Sequence, residues 1–141
     1  MSETLLHTEY PVEAEDYTCA GEASADIKRK LKSLGVSSNV LRRVAVASYE
    51  VELNLVIHSL GGVLTLEVSP EKVRLISADR GPGIPNLDLA MREGWSTASE
   101  TARSLGFGAG MGLPNMKRNA DDFSIESTVG VGTTISMAFN L

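Results

Sequence analysis

A long segment without helix breakers limits the fold of this chain more than any other feature. Residues 39–58 contain neither Gly nor Pro, and small or apolar side chains recur there at the spacing of one helix face. The pattern predicts the longest helix of the chain, ended by Gly61 and Gly62. The predicted stripe consists of Leu41, Val44, Ser48, Val51 and Leu55.

Shorter patterns predict two further helices and five strands. Helices are expected over residues 23–34, closed by Gly35, and over residues 113–119. Together the elements predict an α+β fold, a two-layer α/β sandwich in which a mixed, mostly antiparallel sheet carries the helices on one face. Alternating or apolar runs predict strands over residues 5–12, 63–68, 73–78, 123–127 and 133–140.

Size and composition indicate one folded domain. The chain has 141 residues, 43% of them hydrophobic, so a single core spanning residues 1–141 is expected. A net charge of −5 disfavours a nucleic-acid binder, because clustered Lys and Arg hold phosphate backbones. Cys19 is the only cysteine, which excludes an internal disulfide. Neither a signal peptide nor a membrane-crossing run is recognisable, so a cytoplasmic location is expected.

Three polar residues of the long predicted helix lie four positions apart. Glu50, Asn54 and His58 therefore share one face. Such a face could present an acid–base group and a neutral oxygen ligand to a magnesium phosphate. Taken alone, the pattern is more often a solvated surface than a site. Glu52 points roughly the opposite way and is expected to face solvent.

A carboxylate follows the predicted strand 73–78 at the point where the backbone turns into a loop. In the run Asp79-x-Gly81-x-Gly83, the carboxylate could accept a hydrogen bond from the amino group of a purine, and Gly83 could let a flat ring lie close. A plain turn is the alternative, since Asp and Gly are common turn residues.

Alternating glycines precede the predicted helix 113–119. Gly106, Gly108, Gly110 and Gly112 end directly before Leu113. Backbone amides and a helix N-terminus can there form a concave site for phosphates. The run lacks the Gly-Lys-Ser/Thr of a P-loop and does not follow a strand as a dinucleotide fingerprint would. A flexible hinge is the alternative.

The order of these three motifs resembles the GHKL superfamily of gyrase, Hsp90, histidine kinases and MutL, which has the Bergerat ATP-binding fold. The resemblance covers roughly residues 38–141, with Gly132-Thr133 similar to its terminal strand motif. It implies that Glu50 is the general base, that Asn54 holds Mg²⁺, and that Asp79 binds the adenine amino group of ATP with support from Thr133. A lid over about residues 85–107 would close on ATP.

The same resemblance implies further nucleotide contacts. His58 shares the helix face of Glu50 and occurs at the equivalent position in some relatives, but a His at a helix end is more often a cap or dipole partner than a catalytic group. The implied nucleotide-binding residues besides Asn54, Asp79 and Thr133 are Gly81, Gly83, Ile84, Thr97, Gly106, Gly108, Gly110, Met111, Gly112 and Leu113.

Within that superfamily, three segments resemble the serine/threonine kinases of anti-sigma-factor and stressosome switches. They are Gly94-Trp95-Ser96-Thr97, Leu113-Pro114-Asn115-Met116-Lys117-Arg118 and Asp122-Phe123. The resemblance implies phosphorylation of a STAS-domain antagonist protein, with a sigma factor or a phosphatase as a further partner. The alternative is a nucleotide-gated module that sequesters a sigma factor or activates a phosphatase with little catalysis. Pairing of two copies is left open.

Overall fold

The computed structural model describes residues 4–81, 83, 84, 91 and 112–141. In this part of the chain, every predicted helix and strand is present, and each end lies within one residue of its prediction. The helices are α1 Glu22–Ser33, α2 Ser38–His58 and α3 Gly112–Asn119, and the strands are β1 Leu6–Val12, β2 Gly62–Val68, β3 Lys72–Asp79, β4 Asp122–Thr128 and β5 Gly132–Asn140.

The five strands form one sheet in the order β1-β2-β3-β5-β4. The α+β fold is therefore confirmed, but all four described pairings are antiparallel and the described sheet is not mixed. The reason is that β5 returns from a tight turn after β4 and enters the sheet beside β3, running against both. Ala78 pairs with Thr134, which brings the end of β3 close to the start of β5.

The core lies between the sheet and the helices. Alternate residues of the central strands face it, as expected for a sheet with one covered face. On α2, the predicted stripe is buried at Val44, Ser48, Val51 and Leu55, while Leu41 is only partly covered. Helices α1 and α3 both pack against α2. The fully buried large side chains include Ile27, Leu31, Leu64, Leu66, Leu75, Met116, Met137 and Phe139.

Glu52 corrects one expectation from the sequence. Its side chain is buried, with 2% of its surface exposed, and does not face solvent. Its two carboxylate oxygens accept hydrogen bonds from the backbone N–H groups of Ala23 (3.1 Å) and Ser24 (2.9 Å). Because helices flank α2 on two sides, the face away from Glu50 is also an interior face. Glu52 thus caps the start of α1, where Gly21 provides no side-chain cap.

The start of α2 and the end of α1 have the caps that such residues commonly form. Ser37 caps α2 by accepting a hydrogen bond from the backbone N–H of Val40 at 3.5 Å. Gly35 follows α1 with a φ of +78°, a left-handed conformation that glycine adopts readily. Within the described ranges, no helix combines the length and the apolar character needed to cross a membrane.

Candidate nucleotide site

The site lies where the middle of α2 meets the start of α3. A Cβ atom added to Gly112 would lie 3.2 Å from Glu50 Oε2 and 3.2 Å from Asn54 Oδ1. The last residue of the glycine-rich segment therefore adjoins two of the three polar residues of the predicted helix face. A side chain at position 112 would fill the space on which these two oxygens converge. That space is a small cradle of hard oxygen atoms at a helix N-terminus.

Glu50 is half-buried on α2. Burial raises the pKa of its carboxyl group, and a hydrogen bond from the Asn115 side chain partly offsets that increase. The net direction is upward from the ordinary value of 4.5. A carboxylate with a raised pKa is a stronger proton acceptor, which suits a general base.

Asp79 is held at the end of β3 by the neighbouring strand. Its Oδ1 atom accepts a hydrogen bond from the backbone N–H of Thr133 at 2.9 Å. Burial raises the pKa of Asp79, and the bond from Thr133 lowers it by a smaller amount. Among the described residues, Oδ2 has no hydrogen-bond partner, so it can accept a hydrogen bond from a ligand amino group.

The side-chain hydroxyls of Ser127 and Thr133 connect the strand that holds Asp79 to the backbone just after Gly83. Thr133 is buried, and its Oγ1 atom lies 2.8 Å from Ser127 Oγ. The same Ser127 oxygen accepts a hydrogen bond from the backbone N–H of Ile84 at 2.7 Å. Ser127 was missed by the sequence reasoning. The predicted pairing of the two last strands could have indicated it, because Ser127 lies directly opposite Thr133.

Three glycines allow the backbone to approach closely around Asp79. A Cβ atom on Gly132 would clash with the carbonyl oxygen of Asp79. At Gly83, where φ is +74°, a Cβ atom would lie 2.5 Å from the carbonyl oxygen of Thr128. One on Gly81 would lie 3.3 Å from the Cα atom of Ser59 and 3.5 Å from Asp79 Oδ1. The conformation of the Asp-Gly motif is thus fixed by contacts and is not a plain exposed turn.

Other predicted site residues lie in or against the hydrophobic core, at a helix end, or outside the described residues. Leu113 is in the hydrophobic core, and Ile84 packs against that core while its N–H group binds Ser127. His58 is the last residue of α2. Apart from Met91, the predicted lid 85–107 lies outside the described residues. So do Thr97, Gly106, Gly108, Gly110 and Met111.

The donor set is suited to a magnesium phosphate. Asn54 Oδ1 and Glu50 Oε2 point to the space beside Gly112, and hard cations prefer such oxygen ligands. No group of three or more His, Cys, Asp or Glu residues that could hold a metal occurs in the described part of the chain. Mg²⁺ commonly uses one or two protein oxygens together with phosphates and water, and the oxygens of Asn54 and Glu50 fit that pattern.

The fold and the site together define an ATP-binding domain of the α+β class. The sequence pattern of the family described as histidine kinase-, DNA gyrase B-, and HSP90-like ATPase matches residues 39–141. This chain belongs to that family. The match begins at the start of α2, so β1 and α1 precede it. Family membership makes ATP the nucleotide expected at the site.

Individual relatives have more specific names. The chain is 32% identical to the serine/threonine-protein kinase RsbT of Bacillus subtilis, over 74% of this chain and 75% of the relative. It is 31% identical to the anti-sigma F factor of Thermoanaerobacter sp. strain X514, over 67% and 66% of the two chains. For the anti-sigma F factor of Bacillus licheniformis, the identity is 31% over 79% and 77%. The predicted relation to anti-sigma-factor and stressosome kinases is confirmed.

Proposed function

We propose that this protein is an ATP-dependent serine/threonine kinase of a bacterial partner-switching system, and that its substrate is a STAS-domain antagonist protein. The observation that carries the proposal is the convergence of Glu50, Asn54 and Gly112, which sets a proton acceptor beside a metal ligand at a helix N-terminus. The similarity to a protein named as a serine/threonine kinase supports the same reaction.

The proposed step transfers the γ-phosphoryl group of ATP to a Ser or Thr hydroxyl. Glu50 accepts the hydroxyl proton as the new oxygen–phosphorus bond forms and the bond between the γ-phosphorus and the bridging oxygen of ADP breaks. Asn54 holds Mg²⁺, which when bound neutralises charge on the phosphates. The start of α3 directs its backbone N–H groups toward the same anionic groups. Transfer then depends chiefly on positioning.

At the other end of the site, Asp79 orients the nucleotide. Thr133 occupies Oδ1 of its carboxylate, so Oδ2 is the oxygen that receives the amino group of adenine. The hydroxyl pair of Ser127 and Thr133 keeps the β4–β5 turn against Ile84. This network gives the carboxylate a fixed direction before ATP arrives, which reduces the ordering required on binding.

A nucleotide-gated binding module is the second candidate. Two of the relatives named above are anti-sigma F factors, which favours sequestration of a sigma factor. In this case ATP would act by selecting one conformation of the protein, with little chemistry. A simple ATPase is less favoured, because one of the relatives is named as a serine/threonine-protein kinase.

One assay separates these candidates. The purified protein is incubated with γ-labelled ATP, Mg²⁺ and STAS-domain proteins encoded near its gene. Label on a Ser or Thr of the antagonist is the expected result. Nucleotide-dependent binding of a sigma factor or phosphatase without label would favour the binding module, and release of labelled phosphate alone would indicate an ATPase. Either of these two results would overturn the kinase proposal.

A further inference from the structure

Positive charge is concentrated on the helices of this acidic chain. The net charge of the whole chain is −5. The helices α1, α2 and α3 nevertheless hold eight of its 13 Lys and Arg residues but only four of its 18 Asp and Glu residues. Because α1 and α3 both pack against α2, these helices form one layer, and that layer is opposite in charge to the rest of the molecule.

Most of the acidic side chains in the helix layer are already engaged. Glu52 is buried and caps the start of α1, and Glu50 faces the proposed metal site. Asp26 forms an ion pair with Arg29 at 2.7 Å. Among the residues of the described helices, Glu22 is the one exposed acid that remains. The outer surface of the layer therefore carries little negative charge.

Four cations of the same layer are exposed and form no ion pair with another described residue. The ion pairs of the helices use Arg29, Lys30 and Arg43 instead. The four exposed cations are Lys28 and Lys32 on α1, Arg42 on α2 and Lys117 on α3. A surface with this excess of free positive charge attracts an acidic partner.

Uncharged side chains of α2 are exposed beside Arg42. Arg42, Val46 and Tyr49 are spaced by four and three residues, so they share one side of the helix. Val46 is 37% exposed and Tyr49 is 40% exposed. The Tyr49 ring lies close to the start of α1, since a Cβ atom on Gly21 would be 3.5 Å from Tyr49 Cε1. Tyr and Arg are enriched in protein interfaces, so this stripe has the composition of a docking surface.

The stripe on α2 extends to the proposed general base. Val46 precedes Glu50 by four residues, so the two side chains are neighbours along the helix. The opposite side of α2 is inaccessible, because Val44, Val51 and Leu55 are buried in the core. A protein that brings a hydroxyl group to Glu50 therefore approaches across the outer side of the helix layer.

We propose that the protein substrate docks on the outer face of α1 and α2, through acidic side chains grouped around an apolar contact. The inference rests on the proposed kinase function. The cations of this face steer and orient an acidic partner, and its uncharged side chains exclude water from the contact. Nucleic acid is less favoured as the occupant, because it is held chiefly by clustered Lys and Arg. This helix docking face comprises Lys28, Lys32, Arg42, Val46 and Tyr49.

Charge reversal at Arg42 tests the helix docking face, with STAS-domain proteins encoded near the gene as substrates. We expect Arg42→Glu to raise KM for the antagonist about 10-fold and to leave kcat and KM for ATP unchanged, because it weakens association without altering the chemical step. The control is Arg74→Glu, an exposed position between the core residues Val73 and Leu75 and hence on the uncovered face of the sheet. It should match the parental protein. An unchanged KM for the antagonist in Arg42→Glu would overturn the proposal.

The uncharged part of the helix docking face is tested by Tyr49→Ala. Truncation of an interface Tyr should raise KM for the antagonist about 10-fold, again without a change in KM for ATP. Thermal unfolding of the ligand-free variants compares their stability with that of the parental protein. Added salt should raise KM for the antagonist in the parental protein, and by less in Arg42→Glu, because salt screens exposed charges. A parental KM that does not respond to salt would overturn the role of charge.

A binding measurement separates failure of docking from failure of the kinase proposal. Fluorescently labelled antagonist is titrated with the parental protein, Arg42→Glu and Arg74→Glu in the presence of Mg-ADP. Binding that weakens only in Arg42→Glu, without phosphoryl transfer by any of the proteins, would support the helix docking face and overturn the kinase proposal. Phosphoryl transfer with equal antagonist affinity in all three proteins would support the kinase and overturn the docking face. Binding of DNA or of phosphatidylserine vesicles that depends on Arg42, with antagonist binding unaffected, would also overturn it.

Discussion

Two opposing effects act on the pKa of the Glu50 carboxyl group, and the resulting pKa can be measured. Burial raises the pKa of its carboxyl group and the bond from Asn115 lowers it, with a net increase above 4.5. A general base must be ionised, so activity is present above this raised pKa and is lost as the pH falls through it.

The pH dependence of kcat/KM tests that sign, because this parameter reports the ionisation of the free protein. We expect an acidic limb with its midpoint above pH 4.5. The Glu50→Gln variant is the control, since it retains the titration of ATP itself and should lack the limb due to Glu50. A limb of the same shape in both proteins would assign the titration to another group.

The placement of Glu50 and Asn54 on one helix face could be predicted, because their spacing is local to one helix. What these residues bind stays a prediction from the family resemblance. Glu52 and Ser127 could not be assigned in this way. Their partners are distant in sequence, so their roles follow from how the helices and strands pack.

Glu52 joins two elements, α1 and α2. Replacing it with Ala leaves the backbone N–H groups of Ala23 and Ser24 buried without their acceptor. We expect Glu52→Ala to lower the free energy of unfolding by about 2 kcal/mol. Urea denaturation measures this change, with the exposed Glu126→Ala as the control. Equal stability of the two variants would contradict the assigned cap.

Close approach of β3 and β5 requires glycine at position 132. A Cβ atom there would clash with the Asp79 carbonyl, whereas one on Gly130 meets nothing within 4 Å. Gly130→Ala should therefore cost about 1 kcal/mol, for its φ of +81° alone. Gly132→Ala should cost about 3 kcal/mol and weaken ATP binding, because it separates Thr133 from Asp79. Thermal unfolding measures the stability of the two variants, and ATP titration measures their affinity for ATP. A larger loss of stability in Gly130→Ala than in Gly132→Ala would contradict the close contact assigned to position 132.

The bounds of the helices and strands were predicted more completely than the contacts between them. Helix α2 has a continuous stripe of small and apolar residues, and the strands are alternating or apolar runs, so their ends could be placed within one residue. Strand pairing was less certain from the sequence, because patterning does not state which strands are neighbours. The insertion of β5 between β3 and β4, which makes every described pairing antiparallel, is a property of the assembled sheet.

At the scale of the whole molecule, α2 links the core to the site. One face contributes Val44, Val51 and Leu55 to the core, while Glu50 and Asn54 face the start of α3. Ligand binding at this junction should therefore stabilise the entire domain.

Metal removal tests this linkage. At 100 times its Kd, Mg-ATP should stabilise the parental protein by about 2.7 kcal/mol, and chelation of Mg²⁺ with EDTA should remove part of that gain. Asn54→Ala should lose the Mg²⁺-dependent part, whereas Asn119→Ala should retain it. Thermal unfolding with ATP, with and without EDTA, measures the difference. The same Mg²⁺-dependent gain in Asn54→Ala would contradict its role as the metal ligand.

The most direct measurement is the rate of labelled phosphoryl transfer to the antagonist by Glu50→Gln, beside the exposed control Glu126→Gln. Both variants remove one negative charge. Loss of the general base should slow transfer by at least about 100-fold in Glu50→Gln while ATP still binds, and Glu126→Gln should match the parental protein. Transfer by Glu50→Gln at the parental rate would contradict the account.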